Sequence, residues 1–469
     1  MATSRRDFLR TSACALGGMA LASGLDSFGL VHALTPQAAT DYRALVCIFL
    51  NGGNDGNNMI VDLAQHSSYA AARGVDLAIP QANLLPVSPA TGGSYGFHPS
   101  LTQLRDLFNL NKLAVITNVG PLVEPLTKTT YQNGTGKKPL QLFSHSDQVG
   151  LFQTAISDNV SQTGWGGRVA DKLLGLNGSA TFPQNISIAG INLLLTGVNT
   201  NQLAVADSST SLANVLQLIM TGSTSEVNSR TASFNELRNY DRNFTLIKAA
   251  SDTRTSAIQT DQALGTVNPI LTTVFPNTSL GRQLLQVARL VKASTDPSAG
   301  INMKRQIFFC QIGGFDTHSN QTSATFVGSQ GSLLSQVSAA MKAFYDATVE
   351  LGVANNVTTF TLSDFSRTLQ PSGSGVAQVG SDHAWGNHHF IMGGSVVGGR
   401  FFGTYPTLAL GGPNDTDSGS NPRGRWIPTT SVEQYAATLA TWYGLAPVDL
   451  TGVFPLIGRF ATPTLPFMT

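Results

Sequence analysis

The chain has 469 residues, a formal net charge of +1 and only 12% charged residues. That near-neutral balance supplies no basic field for nucleic acid or an anionic membrane surface, while 42% hydrophobic residues are ample for a large core. Three cysteines, Cys14, Cys47 and Cys310, exclude a disulfide scaffold and a zinc-finger spacing. Cys47 and Cys310 lie in apolar runs and read as small buried hydrophobes; a disulfide between them requires neighbouring strands.

At the N-terminus, Ser4-Arg5-Arg6-Asp7-Phe8-Leu9-Arg10 precedes a weakly apolar Gly/Ala-rich run, and Val31-His32-Ala33 has the small-residue pattern of a cleavage site. Residues 1–33 resemble a twin-arginine export signal. The run is too short and too polar for a stable transmembrane span, and no later stretch approaches the necessary length. The mature chain is therefore expected to leave by the twin-arginine machinery for the periplasm or beyond, and not to span a membrane.

Ala44–Leu50 is a continuous apolar run of strand length, the pattern of a strand buried on both faces. It ends in Asn51-Gly52-Gly53-Asn54-Asp55, where glycines allow a sharp turn and Asp55 faces the strand's C-terminal edge. Phe97-His98-Pro99-Ser100 opens a helix with a Leu101, Leu104, Leu107 stripe; His98 reads equally as a ligand or as a packing residue. Lys112–Thr117 is the next strand. In Ser144-His145-Ser146-Asp147, a hydroxyl beside an imidazole suggests a nucleophile and its partner. Gly164–Arg168 opens another helix, and Arg168 is a candidate anion contact. Asn185–Ala189 is a short strand. From about 205 to 295 apolar residues recur at helical spacing without catalytic residue types, which predicts a helical insertion.

Gln306–Ile312 is a further buried strand, and it ends in Gly313-Gly314-Phe315-Asp316-Thr317-His318. Two strands thus end in Gly-Gly-x-Asp. Asp316 and His318 stand two apart, so an extended backbone points both to one side. Ser332–Val353 is an amphipathic helix leading to the strand Val357–Leu362. A strand–helix–strand unit of this length implies a parallel crossover, so Asp316, His318 and Asp364 should share one edge. Gly380-Ser381-Asp382-His383 and His388-His389 return soon after. Carboxylates and imidazoles gathered at the carboxyl ends of strands are the usual ligand set for a divalent cation. Near the C-terminus, Thr430 and Glu433 read as a capping box opening a helix that Gly444 ends.

Together, the export signal, FLNGGNDGNN, FHPSL, SHSDQ, GWGGR, GGFDTHSNQ, LSDFSRT, GSDH, GGRFFG and IPTTSVEQYAATLATWYGL resemble an exported bacterial family, domain of unknown function 1501. The resemblance runs along nearly the whole mature chain and is weakest in the helical middle. It implies kinship with the alkaline phosphatase/sulfatase superfamily, and hence an α/β fold: a doubly wound, mostly parallel sheet flanked by helices, occupying 41–469, with one or two divalent ions. Laid on that pattern, Asp55 takes the place of the first-strand metal aspartate. Asp316 and His318 take that of the later Asp/His pair, closer together than usual. Asp364 matches the aspartate of a strand-ending Asp-His motif whose histidine is replaced here by Phe365. His383 or His388 supplies the last imidazole, and Ser144 stands for the nucleophile.

The resulting expectation is a metal-dependent hydrolase of phosphate or sulfate esters. Asp55, Asp316, His318, Asp364, Asp382, His383 and His388 would hold one or two ions (zinc, calcium, magnesium or manganese). Ser144 and His145 would do chemistry, and Arg367 or Arg425 would grip the anion of a small ester or surface polymer. The alternative is a non-catalytic binding or surface protein on the same fold.

Overall fold

In the computed structural model, residues 39–469 are described, apart from 181, 213–222, 297–300 and most of 241–269. The export signal expected at 1–33 lies outside the described residues, as does part of the helical stretch expected at 205–295.

The first apolar run forms β1 (Arg43–Leu50), buried at every position after Arg43. A single turn, α1 (Gly56–Met59), comes next, then β2 (Ile60–Asp62), α2 (His66–Leu77), β3 (Leu85–Val87), β4 (Tyr95–Phe97) and α3 (Thr102–Asn109). Beyond these lie β5 (Leu113–Gly120), α4 (Lys128–Gln132), α5 (His145–Thr154), α6 (Trp165–Leu173), β6 (Asn185–Ser187) and β7 (Gln202–Ala204). The middle contributes α7 (Thr224–Asn239) and α8 (Ser279–Thr295), before β8 (Arg305–Ile312), α9 (Gly328–Glu350) and β9 (Val357–Ser363). A hairpin of β10 (Arg367–Ser372) and β11 (Gly380–His383) precedes β12 (Asn387–Gly393), β13 (Phe401–Phe402), β14 (Thr430–Ser431) and α10 (Val432–Tyr443).

The main sheet runs β13-β5-β12-β9-β1-β8-β6-β7, with β14 beside β5. All its pairings are parallel except those of β12. Helices cover both faces, as the expected doubly wound sheet requires. Leu104 of α3, Leu284 of α8 and Val337 of α9 share one apolar cluster; Phe152 of α5, Val169 of α6 and Leu439 of α10 share the other. Fully burying a large aliphatic or aromatic side chain contributes roughly 1.5–3 kcal/mol, so these two layers dominate the stability. Among the described residues, no helix is long and apolar enough to cross a membrane.

Register settles two local questions. Cys47 lies opposite Phe309 and Cys310 opposite Ile48. That offset of one puts the sulfurs on opposite faces of the sheet, and both thiols are free. At the C-terminal helix the capping box is Ser431 with Gln434, one residue beyond the expected Thr430 and Glu433. Thr430 is instead consumed by pairing with Val119 of β5, and Glu433 turns inward onto Ser157.

The crossover through α9 joins β8 to β9, which pair on either side of β1. Leu50, Ile312 and Ser363 are therefore level, and three chain segments leave the sheet side by side at one rim.

Candidate metal centre

At that rim the turns after β1 and β8 interlock. Asn51 N–H donates to Ile312 O at 2.9 Å, and Phe315 N–H returns to Asn51 O at 3.2 Å. Gly52 has φ +113°, and a Cβ there would stand 2.5 Å from Asp316 N, so only glycine serves. Asp364, buried just past β9, accepts from Gly53 N–H at 2.6 Å and Gly52 N–H at 3.0 Å. Arg367, wholly buried, donates to Gly53 O at 2.9 Å, Gly52 O at 2.5 Å, Phe315 O at 3.2 Å, Ser381 O at 3.0 Å and the Asp316 carboxylate. One guanidinium therefore ties the β1 turn, the β8 turn and β11 into a frame.

Three imidazoles meet on that frame. His145 opens α5, His318 stands just past the β8 turn, and His383 ends β11. Their Nε2 atoms lie 3.3, 3.1 and 3.6 Å from Asp316 Oδ1, and those of His318 and His383 are 3.0 Å apart. Ligand atoms of His145, Asp316 and His383 all fall within 4.8 Å of one another.

Each ring is fixed from behind. His145 Nδ1 faces Asp364 Oδ2 at 2.5 Å, His318 Nδ1 faces Asp382 Oδ1 at 3.1 Å, and His383 Nδ1 faces Phe143 O at 2.7 Å. A carboxylate or carbonyl only accepts, so each Nδ1 carries the proton and, in the neutral ring, each Nε2 presents a lone pair. Three lone pairs then face Asp316 Oδ1; Arg367 Nη2 already meets that oxygen, and a further cation beside the nitrogens would relieve their mutual repulsion. His145 Nε2 is indeed buried with no hydrogen-bond partner among the described residues. Tetrahedral nitrogen and oxygen ligands about 2.0–2.1 Å from zinc stand roughly 3.3 Å apart, close to the separations from Asp316 Oδ1, and the set that lies mutually within 4.8 Å is His145, Asp316 and His383, with His318 at its side. Imidazoles oriented by outer carboxylates and carbonyls are the usual second shell of such an ion. The residues fit a divalent transition ion.

Burial and the surrounding charges shift the cluster's groups in both directions. Burial pushes the Asp316 carboxyl up, but Arg367 with His318 and His145 outweighs it and holds the group below the usual carboxylate range. Asp382 behaves alike, with Arg423 and His318 overcoming its desolvation. The Asp364 hydrogen bond raises His145 above an ordinary imidazole, whereas burial lowers His383. The backbone is strained nearby. Gln141 and Phe143, non-glycine residues, adopt φ of +43° and +71°, and Asn320 and Phe326 are left-handed too. Such outliers cluster where a site needs a group aimed against local preference; here the aimed group is the Phe143 carbonyl.

The structure thus brings His145, Asp316, His318 and His383 together, with Asp364 and Asp382 behind the imidazoles rather than in the inner ring. Three expected site residues fall elsewhere, and one has a different job. Asp55 caps α1 through Asn57 N–H at 2.9 Å and is ion-paired with buried Arg73 at 2.7 Å. It touches none of the three imidazoles. His388 accepts from Asn118 N–H at 3.1 Å and stacks on Tyr405, and burial lowers it to about 3. Its position on β12 keeps it in the core. Ser144 gives its hydroxyl to Asp147 at 2.5 Å and makes no contact with the cluster. Arg367 is spent on the frame and is unexposed, so it cannot grip an anion. Arg168, a candidate anion contact, instead donates to the carbonyls of Val453, Thr163 and Thr154. His98 is a buried packing residue that accepts from Ser100 N–H.

Sequence reading missed the Phe143 carbonyl and Arg423, whose Nη2 holds Asp382 Oδ2 at 2.5 Å. It also missed Arg73. Backbone acceptors and distant ion pairs leave no local motif; only Arg423-Gly-Arg425, two cations near the end of the loops, was a usable signal.

A family model described as protein of unknown function (DUF1501) matches residues 42–416. The chain belongs to this family. None of the curated proteins compared with it matches in sequence. Among solved structures, it is similar to the C-terminal periplasmic domain of EcEptC from Escherichia coli, at 10% identity over 88% of this chain and 86% of that one, TM-score 0.34. A protein in the alkaline phosphatase superfamily from Vibrio parahaemolyticus gives 9% identity over 88% and 68%, TM-score 0.32. The PsFucS1 sulfatase from Pseudoalteromonas sp. gives 9% over 77%, TM-score 0.30, and this chain spans only 64% of that sulfatase. Likenesses this distant transfer no residue roles.

Proposed function

We propose that this is an exported, metal-dependent hydrolase acting on phosphate or sulfate esters. The observation that carries the reading is the meeting of His145, Asp316 and His383 ligand atoms within 4.8 Å of one another, with His318 beside Asp316 and His383, half open to solvent: the side chains of Asp316 and His318 are 49% and 46% exposed. A divalent ion held there neutralises charge on an ester oxygen and makes a water easier to deprotonate. Held by His145, Asp316 and His383 alone, the ion would keep a coordination position open for water or an ester oxygen, as catalytic sites do.

The chain's own residues would do the rest. Asp364, Asp382 and the Phe143 carbonyl keep the three imidazoles in one tautomer. Arg425 suits the anion. Its Nε donates to His383 O at 3.1 Å and one Nη to Asp417 at 3.2 Å, while its guanidinium lies 5.0 Å from the Phe143 ring. Among the described residues its second Nη has no partner, so it is free to contact an ester oxygen beside the cluster. The Arg5-Arg6 pair supports export by the twin-arginine route.

The test is metal analysis of the protein purified after export, and then a panel of phosphate and sulfate mono- and diesters. Bound ion and cleavage of one ester class, both lost in His318→Ala, are expected. Bound ion with no ester cleaved would leave the binding-protein reading, which the engagement of the Ser144 hydroxyl by Asp147 favours.

A further inference from the structure

Asp55 is buried to 1% exposure and Arg73 to 0%, yet nothing in the cluster touches either. Asp55 Oδ1 takes Arg73 Nη2 at 2.7 Å, and its Oδ2 takes Gln321 Nε2. Gln321 Oε1 accepts from Ser381 Oγ at 2.5 Å; Ser381 O accepts from Arg367 Nη1 at 3.0 Å; Arg367 Nη2 donates to Asp316. A chain of hydrogen bonds through buried Gln321, Ser381 and Arg367 therefore runs from the Arg73–Asp55 pair to a cluster carboxylate. Along the way it fixes Ser381, two residues before His383, and Gln321, three residues after His318. Gln330 closes the loop by donating to Asp55 O at 2.8 Å.

We infer that Arg73 is the built-in cation of Asp55. The chain then binds one divalent ion, at the cluster, and Arg73, Asp55 and Gln321 are positioning residues for it. The physical reason is charge. A buried carboxylate needs a cation or a proton, and Arg73 supplies a permanent one from α2. Among the described residues its Nε and Nη1 have no partner, its Nη2 also reaches Thr368 O at 3.5 Å and Tyr69 lies 5.9 Å off, so Asp55 is the one charged group it meets there. This departs from the placing of Asp55 as a metal ligand that the superfamily pattern implies. Linked polar networks hold more than their separate bonds, so a break at Gln321 should be felt at Asp316 and His383.

The inference rests on the cluster binding a metal, and the experiment separates the two. Ion content per chain is counted by mass spectrometry after loading with Zn²⁺. Zn²⁺ affinity is measured by chelator competition, and the absorption spectrum of the Co²⁺-loaded protein is recorded. One ion per wild-type chain is expected. Gln321→Met should lower Zn²⁺ affinity by up to about 10-fold, the low end of the loss when a direct partner of a ligand is removed, and should shift the Co²⁺ bands. Val291→Ala, a core truncation in α8, should lower stability and move neither. Arg73→Lys, which keeps the charge, should retain more affinity than Arg73→Met; should Arg73→Met fail to fold, Gln321→Met alone decides. Two ions per wild-type chain, or an unaltered affinity and spectrum in Gln321→Met, would overturn this inference alone. No ion at all would overturn it together with the proposed function.

Discussion

Two turns of this chain have nearly the same sequence and opposite fates. Gly52-Gly53-Asn54-Asp55 and Gly313-Gly314-Phe315-Asp316 leave adjacent, level strands, and their backbones hydrogen-bond to each other. Asp55 ends up sealed against Arg73, and Asp316 half exposed among imidazoles. The difference lies in the residues downstream of each turn. After Asp55 the chain coils at once into α1, which uses the carboxylate as its N-cap, and α2 brings Arg73 over it. After Asp316 it stays irregular until α9, leaving room for His318 and β11 to approach. An acid's role here is set by its covering, not by its motif.

Breaking the pair gives the largest expected effect. Asp55→Ala strands a guanidinium in the core, and losing one partner of a buried ion pair costs about 3–5 kcal/mol. Urea unfolding of metal-free protein should show it. A loss within about 1 kcal/mol would mean that Arg73 relaxes to solvent, and the contrast between the turns would collapse.

Glu433 sharpens the comparison, because it is a buried acid that no cation pairs with among the described residues. Burial, against the Ser157 hydrogen bond, pushes it up to about 7, and among the described residues its Oε2 has no partner. The folded chain keeps a proton there that the unfolded chain releases above pH ~4.3. This group's contribution therefore falls as pH rises from about 4.5 to 7 and is flat above, an integrated loss of about 3 kcal/mol. His98, His388 and His389, lowered to about 4, 3 and 3 by burial, tilt the profile the other way. The difference between wild type and Glu433→Gln isolates the acid. The variant should gain on wild type as pH rises through that window; a difference independent of pH would show that Glu433 is ionised when folded.

Legibility in the sequence divides along the same line. β1, β8 and β9 were legible because burial on both faces leaves uninterrupted apolar runs, and the crossover through α9 put Asp316, His318 and Asp364 on one rim. His383 was legible as one of two alternatives; only the strand pairing of β12 removes His388. Asp364 and Asp382 were visible as rim acids, but whether an acid meets an ion or stands behind an imidazole turns on about 3 Å of side-chain reach, which spacing does not encode. Arg73 was invisible, since its partner is chosen by the packing of α2. Arg367 looked like a ligand grip because an arginine near acids suggests one, while four of its five acceptors are backbone carbonyls and the fifth is Asp316 itself.

His383→Ala addresses the exposed member of the comparison. It should leave metal-free stability almost unchanged, since the ring is partly exposed. It should abolish the stabilisation that Zn²⁺ confers on wild type, about 2.7 kcal/mol at a hundredfold excess over the dissociation constant. Thermal melts with and without Zn²⁺ check this, and equal stabilisation of both proteins would remove His383 from the inner ring.

The smallest effect concerns a histidine that the site does not use. His389 stacks against Tyr435 at 5.9 Å and meets Phe152 edge-on at 5.7 Å, and among the described residues neither ring nitrogen has a partner. Where the cluster's imidazoles have each Nδ1 satisfied and Nε2 aimed at a common point, this one has both nitrogens in apolar surroundings. Replacing an unsatisfied buried polar group by an apolar one of similar shape is neutral or stabilising, so His389→Phe should gain about 1 kcal/mol at pH 8. Burial keeps the ring neutral to about pH 3, whereas the unfolded ring takes a proton below about 6.5. Wild type therefore loses stability on acidification that the variant keeps, and the gap should widen by about 1.4 kcal/mol per pH unit below ~6. A gap that stays constant from pH 8 to pH 5 would mean that water or a neighbour reaches the ring, and that His389 is less isolated than its packing against Tyr435 and Phe152 implies.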